Sequence, residues 1–93
     1  MTSPRLLDLP NIGPEIDRLL RAADIHTPAT LRRLGSIAAA LRIRNLRPDD
    51  PPCPRMLAGL EGALRGVRGH DIPKPERDLL WNRYQQRLAQ PPR

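Results

Sequence analysis

Apolar residues recur at helical spacing in six short stretches, each bounded by proline, glycine or a capping residue. Ser3-Pro4 has the form of a helix start, since Ser can cap free amides and proline tolerates the first helical position. Leu6, Leu7 and Leu9 follow as a short stripe ended by Pro10. Asn11-Ile12-Gly13-Pro14 reads as a tight reversal. A second helix is predicted from Pro14 to Ala23, with Ile16, Leu19, Leu20 and Ala23 on one face and Arg18 and Arg21 on others. Thr27-Pro28 repeats the cap-plus-proline signal and opens a third helix that buries Leu31 and Leu34 and stops at Gly35. Ser36 is expected to cap a fourth, carrying Ile37, Ala38, Leu41 and Ile43, with Arg42, Arg44 and Arg47 crowding its C-terminal end, where cations favour the helix dipole. A fifth runs from Arg55 to about Gly66 with Met56, Leu57, Leu60, Ala63, Leu64 and Val67 inward, and a last one opens at Pro75-Glu76 with Leu79, Leu80, Trp81, Tyr84 and Leu88 as its apolar face.

This pattern predicts an all-α fold of five to six helices in one domain over residues 1–93, with a stiff proline-rich loop at 47–54 and a frayed tail at 89–93. The 12 prolines lie between the periodic stretches, and the single valine leaves no β-branched alternation from which to build strands. Gly59, Gly62 and Gly66 recur on one side of the fifth helix. Glycine inside a helix costs up to about 1 kcal/mol relative to alanine, so close approach of another backbone is the expected compensation. Trp81 and Tyr84 are of a type that stacks on bases, but with no phenylalanine they are expected in the core, Tyr84 on the stripe of Leu80 and Leu88.

The reversal between Leu6 and Leu20 has the design of a helix-hairpin-helix. Ile12 is expected to pin the turn onto the pair, and Gly13 to adopt backbone angles other residues avoid. The first amides of the second helix then face outward at its positive end, unpaired by the helix itself, where a phosphate can accept from them without any base being read. Candidate nucleic-acid contacts are therefore Asn11, Ile12, Gly13, Glu15 and Ile16, helped by Arg18, Arg21 and Arg68. Motifs of this kind that bind DNA usually have glycine where Asn11 stands, though asparagine tolerates left-handed angles better than most residues, and a cation where Glu15 stands. Glu15 and Asp17 favour the helix dipole but repel a phosphate, so a hairpin used purely for packing remains open beside the binding reading.

Charge and chemistry-bearing residues narrow the rest. The net charge of +6, with 15 of 16 basic residues arginine, suits a polyanion partner and also suits a GC-rich genome. Arg65 is expected to pair with Glu61 four residues earlier, which leaves Arg68 as the better phosphate ligand. Cys53 is the single cysteine, so an internal disulfide and a four-cysteine zinc site are excluded. Neither His26 nor His70 has metal-ligand spacing or an attached nucleophile, and no catalytic residue, metal or cofactor is expected. The chain has no apolar run of transmembrane length and no signal-peptide pattern, so a cytoplasmic protein without membrane contact is the expectation.

Two separated runs point to a family. Leu9-Pro10-Asn11-Ile12-Gly13-Pro14 followed by Ile25-His26-Thr27 and Leu31-Arg32-Arg33-Leu34-Gly35, and then Leu60-Glu61-Gly62-Ala63-Leu64-Arg65-Gly66-Val67-Arg68 with Asp71-Ile72-Pro73, resemble the C-terminal domain of TfoX-type competence regulators. The resemblance covers roughly residues 5 to 85 and implies a SAM-like helical domain in a bacterial transcription or competence-regulation setting. Fuller members of that family carry a separate N-terminal domain, and this chain is expected to stand without it. A more distant likeness, through the hairpin and the Ile25-His26-Thr27 turn, is to the helical C-terminal domain of the RNA polymerase α subunit. Two functions follow as expectations: a non-enzymatic module contacting nucleic acid, and a protein-interaction module or homodimer whose hairpin only packs.

Overall fold

Proline and glycine set the element boundaries. A computed structural model describes residues 3–90. Its α-helices are α1 (Pro14–Ala22), α2 (Pro28–Leu46), α3 (Pro54–Arg65) and α4 (Lys74–Ala89), with single 3-10 turns at Leu6–Asp8 and Gly69–Asp71. Each α-helix carries proline in its first positions, where the missing amide would have no intrahelical acceptor. No strand occurs among the described residues. The fold is all-helical, as the periodicity predicts, and has four α-helices rather than five or six.

Two differences account for that count. The first expected helix is only the 3-10 turn Leu6–Asp8. Leu9, which precedes Pro10, is held extended (φ −83°, ψ 147°), so the chain cannot continue as a helix. Ser3 does not cap this turn. The amide of Arg5 instead donates to the Asp8 carboxylate at 3.0 Å, and this bond with the Arg5 side chain holds the Asp8 carboxyl below its ordinary range. The expected third and fourth helices form the single element α2, broken at Gly35 (φ 86°, ψ 165°). The break falls where the sequence places it, but Ser36 is not a cap: it is buried, and its hydroxyl donates to Glu61 on α3 at 2.7 Å. Thr27 does cap, accepting from the Thr30 amide at 3.2 Å.

Helices α2 and α3 form the central pair, α1 packs on α2, and α4 lies against both central helices. Leu6, Leu20, Ile25, Leu31, Ile43, Leu57, Leu60 and Tyr84 are fully buried between them. Burial of each such aliphatic side chain contributes about 1.5–3 kcal/mol. The radius of gyration of 12.8 Å is that of a compact chain of this length, for which about 12 Å is expected.

Helix α4 departs from its sequence pattern. Only Tyr84 is fully buried on it; Trp81 and Leu80 are half-buried, and Leu79 (50%) and Leu88 (37%) face outward. Burial pushes the Tyr84 hydroxyl above its ordinary pKa, and that hydroxyl has no hydrogen-bond partner among the described residues. Gln90 ends α4 in extended conformation. The last three residues of the expected tail, and Met1 and Thr2, lie outside the described residues.

Candidate functional site

The corner between the Leu6–Asp8 turn and α1 is fixed by Asn11 and Ile12. Asn11, not Gly13, adopts the left-handed conformation (φ 68°). Gly13 is extended (φ −90°, ψ −177°) and has empty space where a Cβ would be, so the sequence-based assignment of unusual backbone angles to Gly13 is corrected. A carboxamide tolerates the left-handed region better than most side chains, and here it also bonds across the fold. Asn11 Nδ2 donates to the carbonyls of Gly59 (3.1 Å) and Val67 (2.8 Å). Ile12 is 5% exposed and pins the corner to the core as expected.

The glycines of α3 make room for this bolt. A Cβ on Gly62 would lie 2.5 Å from the Val67 carbonyl oxygen and 2.8 Å from Asn11 Nδ2. A Cβ on Gly69 would likewise lie 3.1 Å from the backbone of Ala58 and Gly59. Gly66 has a different role, closing α3 in the left-handed conformation (φ 77°) while the Val67 amide donates to Gly62. The backbone approach implied by the glycine spacing is thus made by Asn11 and by the chain after α3.

At the mouth of the corner, Gly13, Pro14 and Glu15 are exposed and Ile16 is half-buried. The Asp17 amide donates to Gly13 O at 2.9 Å, while the amides of Gly13, Glu15 and Ile16 find no acceptor among the described residues. They are unpaired donors at the positive end of α1. Both acidic side chains of the first turn face cations: Glu15 lies 3.7 Å from Arg47, and Asp17 is bonded by Arg21 at 3.1 Å. Arg21 is therefore committed to Asp17. Arg18 is exposed and forms no ion pair among the described residues.

Arg68 lies beyond the corner. With Asn11 and Ile16 it lines a cleft of about 850 Å³ between the start of α3, the Gly69–Asp71 turn and α4. Arg65 bonds both Glu61 and Glu76 at 2.9 Å, and these carboxylates, Glu61 foremost, raise its already high pKa. Arg68, just after α3, forms no ion pair among the described residues, in keeping with the Glu61–Arg65 spacing. Sequence reasoning misses Arg55 and Arg77, which line the same cleft together with Trp81. The glycines of α3 were the one available signal that other backbone converges there. His26 pairs with Asp24 and His70 with Asp71, and no cluster of metal-ligating side chains occurs among the described residues. No described helix is long and apolar enough to cross a membrane.

Comparison with known proteins agrees with this geometry. Two crystal structures of uncharacterised proteins from Listeria monocytogenes have the same fold. One, in a triclinic form, is 32% identical over 96% of this chain and 99% of that one, with a TM-score of 0.80. The other, in a tetragonal form and described as of unknown function, is 36% identical over 87% of this chain and 96% of that one, with a TM-score of 0.78. No curated protein matches the chain. Residues 2–84 match the TfoX C-terminal domain, a span that holds the Asn11 corner, the α3 glycines and most of α4. The chain therefore belongs to the TfoX C-terminal domain family.

Proposed function

We propose that the chain is a non-enzymatic binding module whose corner acts as a helix-hairpin-helix of the SAM-like class and contacts the sugar-phosphate backbone of nucleic acid. The observation that carries this reading is the set of outward amides at Gly13, Glu15 and Ile16, left without acceptors while the nearby carboxylates are engaged by Arg47 and Arg21. A cation beside each carboxylate, Arg47 at 3.7 Å from Glu15 and Arg21 on Asp17, lessens the repulsion a phosphate would meet there. Arg18 on α1 and Arg68 across the cleft supply uncommitted positive charge on either side. Contact of this kind is weak, independent of base sequence and steeply dependent on salt. A transcription or competence-regulation setting in a bacterial cytoplasm accords with the family, and no catalytic group, metal or cofactor enters the proposal.

Fluorescence anisotropy with a labelled duplex at two salt concentrations tests it. Binding at low salt that weakens on raising salt, and weakens again with Arg18→Glu, is the expected result. No binding at low salt, or binding indifferent to Arg18→Glu, overturns it. A second reading, a protein-interaction module or homodimer, is favoured by Leu79 and Leu88, which stand outward on α4. Sedimentation of the chain across a concentration series separates the two, because self-association sensitive to Leu79→Glu supports the second.

A further inference from the structure

The cleft beside the corner has a character the hairpin contact does not use. Arg55, Arg68 and Arg77 line it together with Trp81. Arg55 and Arg68 are exposed and make no ion pair or side-chain hydrogen bond among the described residues. Arg77 is oriented by its Nε, which donates to the Ile72 carbonyl at 2.9 Å, and this leaves its terminal nitrogens available. The acidic residue of the lining, Asp78, is held by Lys74 at 2.9 Å. Three guanidinium groups that form no ion pair among the described residues thus share one concave surface.

Trp81 adds a flat surface. Its ring lies 4.9 Å from that of Tyr84, with 29° between the planes, and Tyr84 is buried. The indole is therefore braced by the core while part of it remains exposed to the cleft. Arginine forks match phosphate oxygens, and an exposed indole stacks on unpaired bases, which a duplex keeps inside. The volume of about 850 Å³ lies in the range of about 300–1,000 Å³ that small-molecule sites occupy.

We infer that this cleft binds an unpaired nucleotide, its phosphate between Arg55 and Arg68 and its base against Trp81. The nucleotide is either free or part of a single strand, since the chemistry recognised is the same. The proposal goes beyond the hairpin contact; it shares Arg68 with that reading and is tested through Arg55 and Trp81, which the hairpin contact does not use.

Trp81 is the single tryptophan, so its fluorescence reports the site directly. The full chain is titrated with adenosine monophosphate, a twelve-nucleotide oligo(dA) and a duplex of equal length. Saturable quenching by the mononucleotide or the single strand is expected, with Arg55→Glu weakening it about tenfold or more and Arg18→Glu leaving it unchanged. Arg55 is exposed in the first turn of α3, where a carboxylate suits the helix dipole, so this variant keeps the fold. Quenching by oligo(dA) alone assigns the site to single strands, and equal affinity for the monophosphate assigns it to free nucleotides. In a labelled-oligonucleotide assay, Trp81→Leu weakens binding about tenfold, the loss of one stacked base. Absence of saturable quenching by both unpaired ligands, or quenching that survives Arg55→Glu, overturns the proposal. Duplex binding sensitive to Arg18→Glu, together with no saturable quenching by either unpaired ligand, would overturn the cleft site and leave the hairpin reading standing.

Discussion

Replacing Asn11 separates the two roles the structure gives it. Its side chain makes two bonds, to Gly59 O at 3.1 Å and Val67 O at 2.8 Å, in a part-buried position. Each bond contributes about 1 kcal/mol net, so losing both costs about 2 kcal/mol. Its backbone sits at φ 68°, where a residue with an ordinary Cβ pays about 1 kcal/mol more than asparagine. Asn11→Ala therefore destabilises the chain by about 3 kcal/mol, and Asn11→Gly, which keeps the backbone conformation without strain, by about 2 kcal/mol. In a domain of this size, where total stability lies near the low end of about 5–15 kcal/mol, either loss is large. Asn11→Asp turns a carboxylate oxygen toward two carbonyls and destabilises most at neutral pH, recovering in part as acid protonates it.

Urea unfolding followed by far-ultraviolet circular dichroism measures all three variants, with Gly13→Ala as control. At Gly13 the backbone is extended and a Cβ meets nothing within 4 Å, so that substitution stays within about 0.5 kcal/mol of the parent. An Asn11→Ala variant as stable as the parent, or a Gly13→Ala loss exceeding that of Asn11→Gly, would refute the reasoning. Either result would return the special conformation to Gly13.

Three further outcomes follow from single observations. Gly62→Ala forces a methyl against the Val67 carbonyl and the Asn11 carboxamide, and its cost of about 1–3 kcal/mol shrinks when made in an Asn11→Gly background; equal costs in both backgrounds, read from unfolding midpoints, refute the shared contact. Tyr84→Phe removes a buried hydroxyl without a partner, so thermal melting should show a stability equal to the parent or up to about 1 kcal/mol higher, whereas a clear loss means the hydroxyl is satisfied. Asp8 has a lowered pKa in the folded chain, so the stability it contributes is present above its ordinary value of 3.8 and is lost as pH falls through the folded value. A carboxyl titration by nuclear magnetic resonance that finds Asp8 at or above 3.8 contradicts this.

Helix positions were legible because proline and capping residues are local signals. Thr27-Pro28, the break at Gly35 and the close approach at Gly62 all appear where spacing puts them. The first helix was not legible, because Leu6, Leu7 and Leu9 match a helical stripe while the constraint of Pro10 on Leu9 leaves room for only one turn. Glycine is the residue most able to adopt the special conformation, so the local sequence points to Gly13 ahead of Asn11. The choice was made by Asn11, whose acceptors at Gly59 and Val67 lie 48 and 56 residues away and leave no local trace. Ser36 has the look of a cap in sequence for the same reason: its partner, Glu61, is on another helix. At the candidate site, the exposed donors of α1 followed from the reversal itself, whereas the grouping of Arg55, Arg68, Arg77 and Trp81 depends on how α3, the following turn and α4 pack together.

The most direct test of the central claim, that the start of α1 offers its amides to a phosphate backbone, is an amide-resolved titration of the isotopically labelled chain with a short duplex at low salt. The account predicts that the largest shifts fall on the amides of Gly13, Glu15 and Ile16, are independent of duplex sequence and collapse when salt is raised. Shifts that spare these three amides while the duplex binds elsewhere would contradict it.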